Sequence, residues 1–535
     1  MRLLRLYLGS YQVLRDLEIR FGHPTLNEAL PTYASSYGLD FLIGVNGTGK
    51  STILRAIADL MRKLERNEPI PFPFEMEYEL GVSDARRTVI LSNRLQNSDS
   101  EEATDLGPLQ TWVNGELGEL SSELLPTRVI AFTTGSKMEW TETQEREWVR
   151  QNNPEAVRSL SPIERAIREL PGKSTEPESG EQTETQVTSR FLLIRSQWLS
   201  LVTLCGLLND MAEVDRAEDR RLYKVLNEAH IGTVRGFSLK FRMNQGVTSI
   251  DDRLQVNRLA KYASRALRLG SDYLLVFDLA GWDHDPIEHT LLRLAGFPFP
   301  RRDHFVSQRI LEEFSDGLQL FEAFARLAIA VDHEQPVLQE VNVFLERPMP
   351  PRRAGAKRER PPMHLLTWLS DGEQSFLGRM CLFSLLGATE ALILLDEPEV
   401  HFNDYWKRQI VYLLDNVLQG RHSHVLMATH SSIVLTDVSS EDIIVLKREG
   451  PYTTQAFNPS IRTFAADPSD ILVHVFGAPQ ASGEQSVTRI QKVLDGLPDL
   501  NPDEQRKQLQ ELLAVVGPGY WSYRIRRVLQ DIEGG

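Results

Sequence analysis

The sequence predicts an α/β fold, a mixed sheet flanked by helices, which is split by a mainly helical insertion and followed by a helical tail. Three observations predict it. An apolar strand pattern at 39–44 leads through a glycine-rich turn into an amphipathic helix at 51–62. Two short apolar runs at 392–395 and 424–428 are bounded by polar turns, as is typical of buried parallel strands. Between these parts, residues 190–345 mix amphipathic helices with a few strands.

The composition is that of a soluble globular chain with two or three domains. Of its 535 residues, 41% are apolar and 25% are charged, and the formal net charge is −15. Because neutralising phosphates requires a basic surface, this charge disfavours a general nucleic-acid coat. A local basic groove is still compatible with it.

The two cysteines and the start of the chain indicate a cytoplasmic protein. Cys205 and Cys381 lie far apart in apolar surroundings, which favours buried, reduced thiols and a reducing compartment. The first residues alternate charged and apolar positions, unlike the continuous apolar core of a signal peptide. Since no run of roughly 18 apolar residues occurs, we expect no membrane partner.

Changes in composition divide the chain into four parts. Residues 171–188 are rich in Pro, Gly, Ser, Thr, Glu and Gln, which predicts a disordered loop. A Pro/Arg/Lys run at 348–362 favours a solvated linker over a contact with nucleic acid or an acidic partner. The predicted parts are an N-terminal lobe, the insertion, a C-terminal lobe and the tail, at 1–135, 136–361, 362–480 and 481–535.

Periodicity predicts the elements between these landmarks. Residues 3–21 alternate with period two and are predicted as two strands that turn at Gly9 and Ser10. Segments 74–93 and 128–133 are also predicted as strands. The predicted apolar face of the helix at 51–62 comprises Ile53, Leu54, Ile57, Leu60 and Met61. The tail carries one apolar helical stripe, formed by Leu509, Leu512, Leu513 and Val516.

The segment 44–51 reads GVNGTGKS, a full match to the phosphate-loop pattern GxxxxGK[S/T] between a strand and a helix. Its glycines let successive backbone N–H groups point at phosphate oxygens, and the helix start adds its positive end. Lys50 is expected to reach the β- and γ-phosphates, and the Ser51 hydroxyl to ligate Mg²⁺. The predicted nucleotide-binding residues are Gly44, Val45, Asn46, Gly47, Thr48, Gly49, Lys50, Ser51 and Thr52.

The segment 391–399, ALILLDEPE, is an apolar strand that ends in carboxylates. Asp396 is expected to hold Mg²⁺, directly or through water, and Glu397 to orient and activate the attacking water. Taken alone, an acidic loop after a strand explains the pattern equally well. The phosphate loop earlier in the chain favours the functional interpretation.

The segment 369–374 reads LSDGEQ and precedes an apolar helical run. Ser370 and the Gly372 amide are expected to begin a helix and to form a second anion-binding end, together with Glu373 and Gln374. A serine followed three residues later by a glutamate is also a capping box. That interpretation describes the same local geometry.

His430 ends a predicted strand about thirty residues after Asp396, in the segment VLMATHSS. A lone histidine at a strand end is more often structural. Its order and spacing relative to the other motifs favour a catalytic position here.

The order of these four motifs resembles that of ABC-type ATPases. Their signature loop usually reads LSGGQ; here Asp371 replaces the first glycine and Glu373 precedes Gln374. The resemblance covers roughly 1–135 and 362–480 and implies a P-loop ATPase head split by the insertion.

In that family two heads meet face to face. The resemblance therefore implies ATP and Mg²⁺ as cofactors and a homodimer or larger assembly. Ser370 of one copy would contact the γ-phosphate held by another, and His430 would sense that phosphate.

The opening strands and the forms LSDGEQ and LLDEPEVHF resemble the RecF/SMC/OLD-type branch, which works on DNA or in genome defence. The segment 461–477 and the helical tail resemble stand-alone ATPases of bacterial defence cassettes, such as Septu and retron systems of the PtuA type and restriction-associated AAA ATPases. This resemblance implies a separate effector, for example an HNH nuclease. The alternatives are a RecF-like clamp that binds DNA and a nuclease with an unrecognised site in the insertion.

One position departs from the family pattern. ABC heads usually carry a glutamine after an early strand, in contact with Mg²⁺ and the insertion. The corresponding segment, 130–136, reads IAFTTGS and has no glutamine. Thr133 or Thr134 is the available substitute.

Overall fold

The computed structural model describes most of the chain. The described residues are 1–22, 37–82, 85–94, 106–134, 190–228, 233–243, 250–280, 302–329, 335–346, 363–478 and 480–534. The loop predicted to be disordered at 171–188 and the basic run at 352–360 lie outside them.

The strands of the first half are β1 (Arg2–Tyr11), β2 (Leu14–Arg20), β3 (Gly38–Ile43), β4 (Phe74–Leu80), β5 (Arg87–Arg94), β6 (Leu106–Val113), β7 (Glu116–Gly118), β8 (Val129–Thr133) and β9 (Phe191–Arg195). Those of the second half are β10 (Thr233–Arg242), β11 (Arg265–Leu269), β12 (Asp272–Asp278), β13 (Leu338–Glu346), β14 (Met363–Leu365), β15 (Leu392–Asp396), β16 (His424–Ala428), β17 (Ile443–Arg448) and β18 (Thr454–Phe457).

The helices up to the signature segment are α1 (Lys50–Glu65), α2 (Leu199–Glu213), α3 (Arg221–Glu228), α4 (Ile250–Ala260), α5 (Arg302–Phe314), α6 (Gly317–Leu327) and α7 (Asp371–Leu385). The later ones are α8 (Asp404–Lys407), α9 (Ile410–Leu418), α10 (Pro468–His474), α11 (Glu484–Gly496), α12 (Pro502–Val515) and α13 (Tyr520–Gly534).

A seven-stranded sheet forms the centre of the chain, in the order β18-β17-β3-β16-β15-β8-β9. All its neighbours pair in parallel except β17 and β18. The strands β15 and β16 are buried along their whole length, as their uninterrupted apolar sequences predict. Parallel strands end at one edge of the sheet, so the loops after β3, β8, β15 and β16 share that edge.

A six-stranded antiparallel sheet, β2-β1-β4-β5-β6-β7, shares one hydrophobic core with the parallel sheet. Helix α1 belongs to that core, and the five residues predicted as its apolar face are all buried. Because the helix is packed into the core, its N-terminus is held at a fixed place beside the parallel sheet. The last residues of the phosphate loop, Lys50 and Ser51, lie at that N-terminus.

The predicted turn at Gly9 and Ser10 is wrong. Strand β1 runs through both residues, and the chain turns at Gln12, which has a positive φ of 51°. The reason is packing: the Gly9 amide donates to the Pro73 carbonyl oxygen at 2.8 Å, and a Cβ at position 9 would lie 2.9 Å from the Pro73 Cβ. This glycine serves a close approach inside a strand rather than a reversal of the chain.

The described part of the insertion contains more helical than strand residues, as predicted. Its strands β10–β13 also join β14 of the C-terminal lobe in a five-stranded antiparallel sheet, β11-β12-β10-β13-β14. This sheet was not predicted, because residues 190–345 show only scattered strand patterns. Phe237 on its central strand β10 stacks on Phe277 of the neighbouring strand β12, with ring centroids 4.2 Å apart. Strand β9 falls in the range predicted as insertion but pairs with β8 at the edge of the parallel sheet.

Helix α2 packs closely against the signature helix α7. A Cβ at Gly206 would lie 2.6 Å from the Cys381 Cβ and 2.7 Å from the Cys381 carbonyl oxygen, so no larger residue fits there. Both cysteines of the chain, Cys205 and Cys381, are buried free thiols in this contact region. Glycine therefore lets the first helix of the insertion approach the backbone of α7.

The chain divides into two compact units, Met1–Phe464 and Ala465–Gly535. In the second unit, Ile490, Leu497, Leu509 and Ile525 form a small apolar core. The predicted tail stripe lies in it, with Leu512, Leu513 and Val516 packed against its buried members. The unit boundary falls some residues before the predicted limit at 480. Among the described residues, none of the helices is long and apolar enough to cross a membrane.

Candidate nucleotide-binding and hydrolysis site

The phosphate loop connects β3 to α1 in a left-handed, glycine-dependent conformation. Gly44, Gly47 and Gly49 have φ angles of 154°, 84° and 101°. A Cβ at Gly44 would lie 2.5 Å from the Leu446 carbonyl oxygen, and one at Gly49 would lie 2.7 Å from the Leu14 side chain. Glycine is required at both positions for conformation and for space.

Two threonines brace the loop. The Thr48 hydroxyl donates to the Val45 carbonyl oxygen at 2.9 Å, and the Thr454 hydroxyl on β18 donates to the Thr48 carbonyl oxygen at 3.2 Å.

The Lys50 ammonium donates to the carbonyl oxygens of Gly44 at 2.9 Å and Val45 at 3.4 Å. Burial lowers the pKa of Lys50, against the opposing effect of nearby carboxylates led by Glu397. A buried ammonium beside a helix start is suited to a phosphate anion.

Asp396 is the last residue of β15, and its carboxylate accepts hydrogen bonds from helix α1 and from strand β8. Its Oδ1 accepts from the Ser51 hydroxyl at 2.9 Å, and its Oδ2 accepts from the Thr133 hydroxyl at the end of β8 at 3.2 Å. Burial raises the pKa of Asp396, and the neighbouring Glu397 carboxylate raises it further. A buried carboxylate with two hydroxyl oxygens beside it is a set of hard ligands that fits Mg²⁺, and Ser51 and Asp396 are the residues predicted to hold it.

Thr133 is one of the two threonines that the sequence offers in place of the family's glutamine. Its hydroxyl reaches the same carboxylate as Ser51, so one of the two threonines considered from the sequence does join the site. The parallel register of β8 and β15, which pairs Thr133 with Asp396, brings them together.

Glu397 and His430 form a pair at the same edge. His430 Nε2 lies 3.1 Å from Glu397 Oε1, and both side chains are about one-third exposed. Glu397 has a positive φ of 50°, and its amide donates to the Ala428 carbonyl oxygen at 2.9 Å. The pKa of His430 is lowered, first by burial and then by the Lys50 charge. The pair therefore faces solvent from a constrained turn beside the phosphate loop.

Glu399 belongs to the segment 391–399, but the sequence pattern predicts no function for it. This buried carboxylate accepts through Oε1 from the Thr429 hydroxyl and from the His430 amide at 3.2 Å. Burial raises the pKa of Glu399. The side chain holds the backbone that carries His430. A second glutamate in the DEPE run was the available signal for it.

Arg379 is a second residue for which the sequence predicted no function. It is the largest fully buried side chain of the chain's described part; it projects from α7 and donates to the Val400 carbonyl oxygen. Its guanidinium lies 5.2 Å from the Phe402 ring centroid, a cation–π contact. Arg379 thereby connects α7 to the segment that follows Glu399. A single arginine within the apolar run of α7 was its signal in the sequence.

The signature residues form the predicted cap of α7. The Glu373 amide donates to the Ser370 hydroxyl at 3.3 Å, and the Ser370 amide donates to a Glu373 carboxylate oxygen at 2.8 Å. The Gln374 side chain donates to the Leu369 carbonyl oxygen at 2.7 Å. Ser370 is exposed. A Cβ placed at Gly372 would lie 3.8 Å from the His401 carbonyl oxygen, an ordinary van der Waals distance. This group is a preformed helix start at the surface.

Residues 282–437 match the family described as “AAA domain, putative AbiEii toxin, Type IV TA system”. The matched range contains the α7 start, Asp396, Glu397 and His430. This part of the chain is therefore similar to an AAA-type ATPase domain. This similarity agrees with the predicted ATPase head, and the predicted α/β fold with a mixed sheet flanked by helices is confirmed.

A curated protein is similar over part of its length. “Retron Vc95 probable ATPase” of Vibrio cholerae serotype O1 biovar El Tor is 29% identical over 103 residues, 19% of this chain and 20% of that protein. The chain thus matches about a fifth of the length of this curated relative.

Two solved structures are similar in part. An SMC head bound to the C-winged helix domain of ScpA is 11% identical with a TM-score of 0.32, covering 86% of this chain and 99% of that one. A RecF–ATP structure of the RecFOR pathway is 12% identical with a TM-score of 0.30, covering 81% and 94%.

We predict that Asp396→Asn stabilises the nucleotide-free head at neutral pH. A carboxyl whose folded pKa lies above its unfolded value destabilises the fold as pH rises through the folded pKa, and this cost is absent below the unfolded pKa. Asparagine keeps an acceptor for Ser51 and removes the charge. The midpoint of thermal unfolding, measured without nucleotide or metal, should rise at about pH 7 and converge with the parental value towards about pH 4.

The matched control is Asp404→Asn, because the Asp404 side chain is 70% exposed. It should show no comparable pH-dependent gain. A lower midpoint for Asp396→Asn at neutral pH would mean that its charge is stabilising, contrary to this prediction.

Proposed function

We propose that this protein is a Mg²⁺-dependent ATPase that hydrolyses ATP at a site shared between two copies, and that it controls a separate effector in bacterial defence against phage. The single observation that carries the ATPase proposal is the convergence of Ser51, Thr133 and Asp396 beside the Glu397–His430 pair at the start of α1.

Binding is assigned to the phosphate loop. Its N–H groups and the first turn of α1 would receive the phosphates, and Lys50 would exchange its two backbone carbonyl partners for phosphate oxygens. Mg²⁺, held by Ser51 and Asp396, would neutralise charge on the β- and γ-phosphates. The remaining residues of the loop, from Val45 to Thr52, set its shape.

Hydrolysis is assigned to Glu397. Its exposed carboxylate would orient a water molecule and accept its proton while the water oxygen bonds to the γ-phosphorus and the bond to ADP breaks. His430, kept neutral by its lowered pKa, would donate through Nε2 to Glu397 or to the γ-phosphate. Glu399 is a positioning residue, since it acts through the backbone of His430.

The second copy is assigned the signature cap. The exposed start of α7 presents Ser370 and free amide positions at the positive end of a helix, which favours an anion from outside its own cap. A γ-phosphate bound by Lys50 of a facing copy is that anion. Two such contacts related by a twofold axis form a closed, self-complementary dimer.

Glu397→Gln should retain ATP binding and lower the hydrolysis rate by about 10²- to 10⁴-fold, because the amide cannot accept the proton. Phosphate release and binding of a fluorescent ATP analogue measure the two effects separately. The exposed Glu484→Gln serves as control and should leave both unchanged. Parental turnover by Glu397→Gln would remove this residue from the mechanism.

Mixing two inactive variants tests the shared site. Lys50→Ala should lose phosphate binding, whereas Ser370→Arg should bind ATP and block hydrolysis in the facing copy. In a 1:1 mixture, half of the randomly formed dimers pair the two variants and hold one intact site out of two. About a quarter of parental activity should therefore return. If the mixture is as inactive as its components, the site lies within one chain.

The defence proposal is supported by the descriptions of the matched family and of the retron relative. Cells that carry the gene with its neighbouring genes are challenged with a panel of phages. Protection is expected with the parental chain and should disappear with Lys50→Ala. Protection that persists in this variant would refute control by ATP. DNA cleavage by the purified protein alone, with Mg²⁺ and ATP, would instead indicate an internal nuclease.

A further inference from the structure

The first turns of α13 carry an unusual exposed surface for this acidic chain. Tyr520 and Tyr523 are 67% and 65% exposed, and the sequence from 523 reads YRIRR. Arg524, Arg526 and Arg527 are all exposed as well. Large exposed aromatic side chains interleaved with arginines mark an interaction surface rather than an ordinary solvated face.

These residues share one side of the helix. At 3.6 residues per turn, positions 520, 523, 524 and 527 form a continuous stripe, with Arg526 and Gln530 along its edge. The opposite side packs into the apolar core of the C-terminal unit, which includes Ile525. From residue 520 to residue 530, the exposed side contains no Asp or Glu. We call these six residues the Tyr/Arg stripe.

The charge of the Tyr/Arg stripe contrasts with its surroundings. Residues 465–535 contain ten Asp and Glu against seven Lys and Arg, and three of the seven are in the stripe. Within the described part of the chain, no carboxylate lies in ion-pair distance of these three guanidiniums, whereas Arg506 pairs with Asp503 in the same unit. Three unpaired guanidiniums together favour an anionic partner.

The aromatic rings are already arranged around the arginines. The Arg524 guanidinium lies 5.4 Å from the Trp521 ring centroid, and the Tyr520 and Trp521 rings meet edge to face at 5.3 Å. Such contacts restrict the side chains before any partner binds, which lowers the entropic cost of recognition. The two tyrosines keep most of their ring surface exposed for stacking.

We propose that the Tyr/Arg stripe binds single-stranded nucleic acid. The stripe from Tyr520 to Arg527 extends about 10 Å along the helix. Guanidiniums pair with phosphates, and exposed tyrosine rings stack on bases only where the bases are unpaired. An acidic peptide would pair with the arginines but offers nothing that requires two exposed rings.

Fluorescence anisotropy of the full chain tests this proposal with labelled twenty-nucleotide oligo-dT and oligo-U, a duplex of equal length and a poly-glutamate peptide as competitor. Tyr520→Ala/Tyr523→Ala should weaken single-strand binding about tenfold or more through lost stacking. Arg524→Gln/Arg527→Gln should reduce the slope of log affinity against log salt by about 1.4. The two oligonucleotides report whether the sugar matters.

Arg489→Gln/Lys492→Gln is the matched control, because it removes two exposed positive charges elsewhere in the same unit. It should bind like the parental chain, and equal unfolding midpoints verify that all variants fold. Parental affinity in the tyrosine variant, tighter binding of the duplex, or full displacement by poly-glutamate would each overturn the proposal. None of these binding measurements requires ATP hydrolysis, so their outcome is independent of the proposed ATPase function.

Discussion

The site depends on one buried carboxylate at the edge of a parallel sheet. Asp396 accepts hydrogen bonds from Ser51 on the phosphate-loop helix and from Thr133 on the neighbouring strand. Burial makes its charge costly, and a divalent cation is the natural means of offsetting that cost. The charge that lowers the stability of the nucleotide-free fold is therefore also the charge proposed to bind the metal.

A second group of contacts connects this carboxylate region to the signature helix. Glu399 holds the backbone of His430, and Arg379 reaches from α7 to Val400 in the adjoining segment. Glu397 Oε1 lies 3.1 Å from His430 Nε2. The residues proposed to cut ATP and the helix proposed to contact another copy are therefore parts of one packed network.

The insertion and the C-terminal unit contribute differently. Helix α2 of the insertion approaches α7 so closely at Gly206 that movement of one helix cannot leave the other undisturbed. The C-terminal unit has its own small apolar core and presents the Tyr/Arg stripe on its last helix. The chain thus combines a candidate nucleotide site with a surface whose charge is opposite in sign to the net charge of the chain.

The sequence by itself determined the phosphate loop, the acidic strand end, the capped start of α7 and the buried face of α1, because each is a local pattern with one physical explanation. It did not determine the turn near Gly9, the sheet in the insertion, or the parts played by Thr133, Glu399 and Arg379. Those depend on strand register and on contacts between segments far apart in the chain. Only the tertiary structure decides which of several polar side chains ends beside Asp396 or His430.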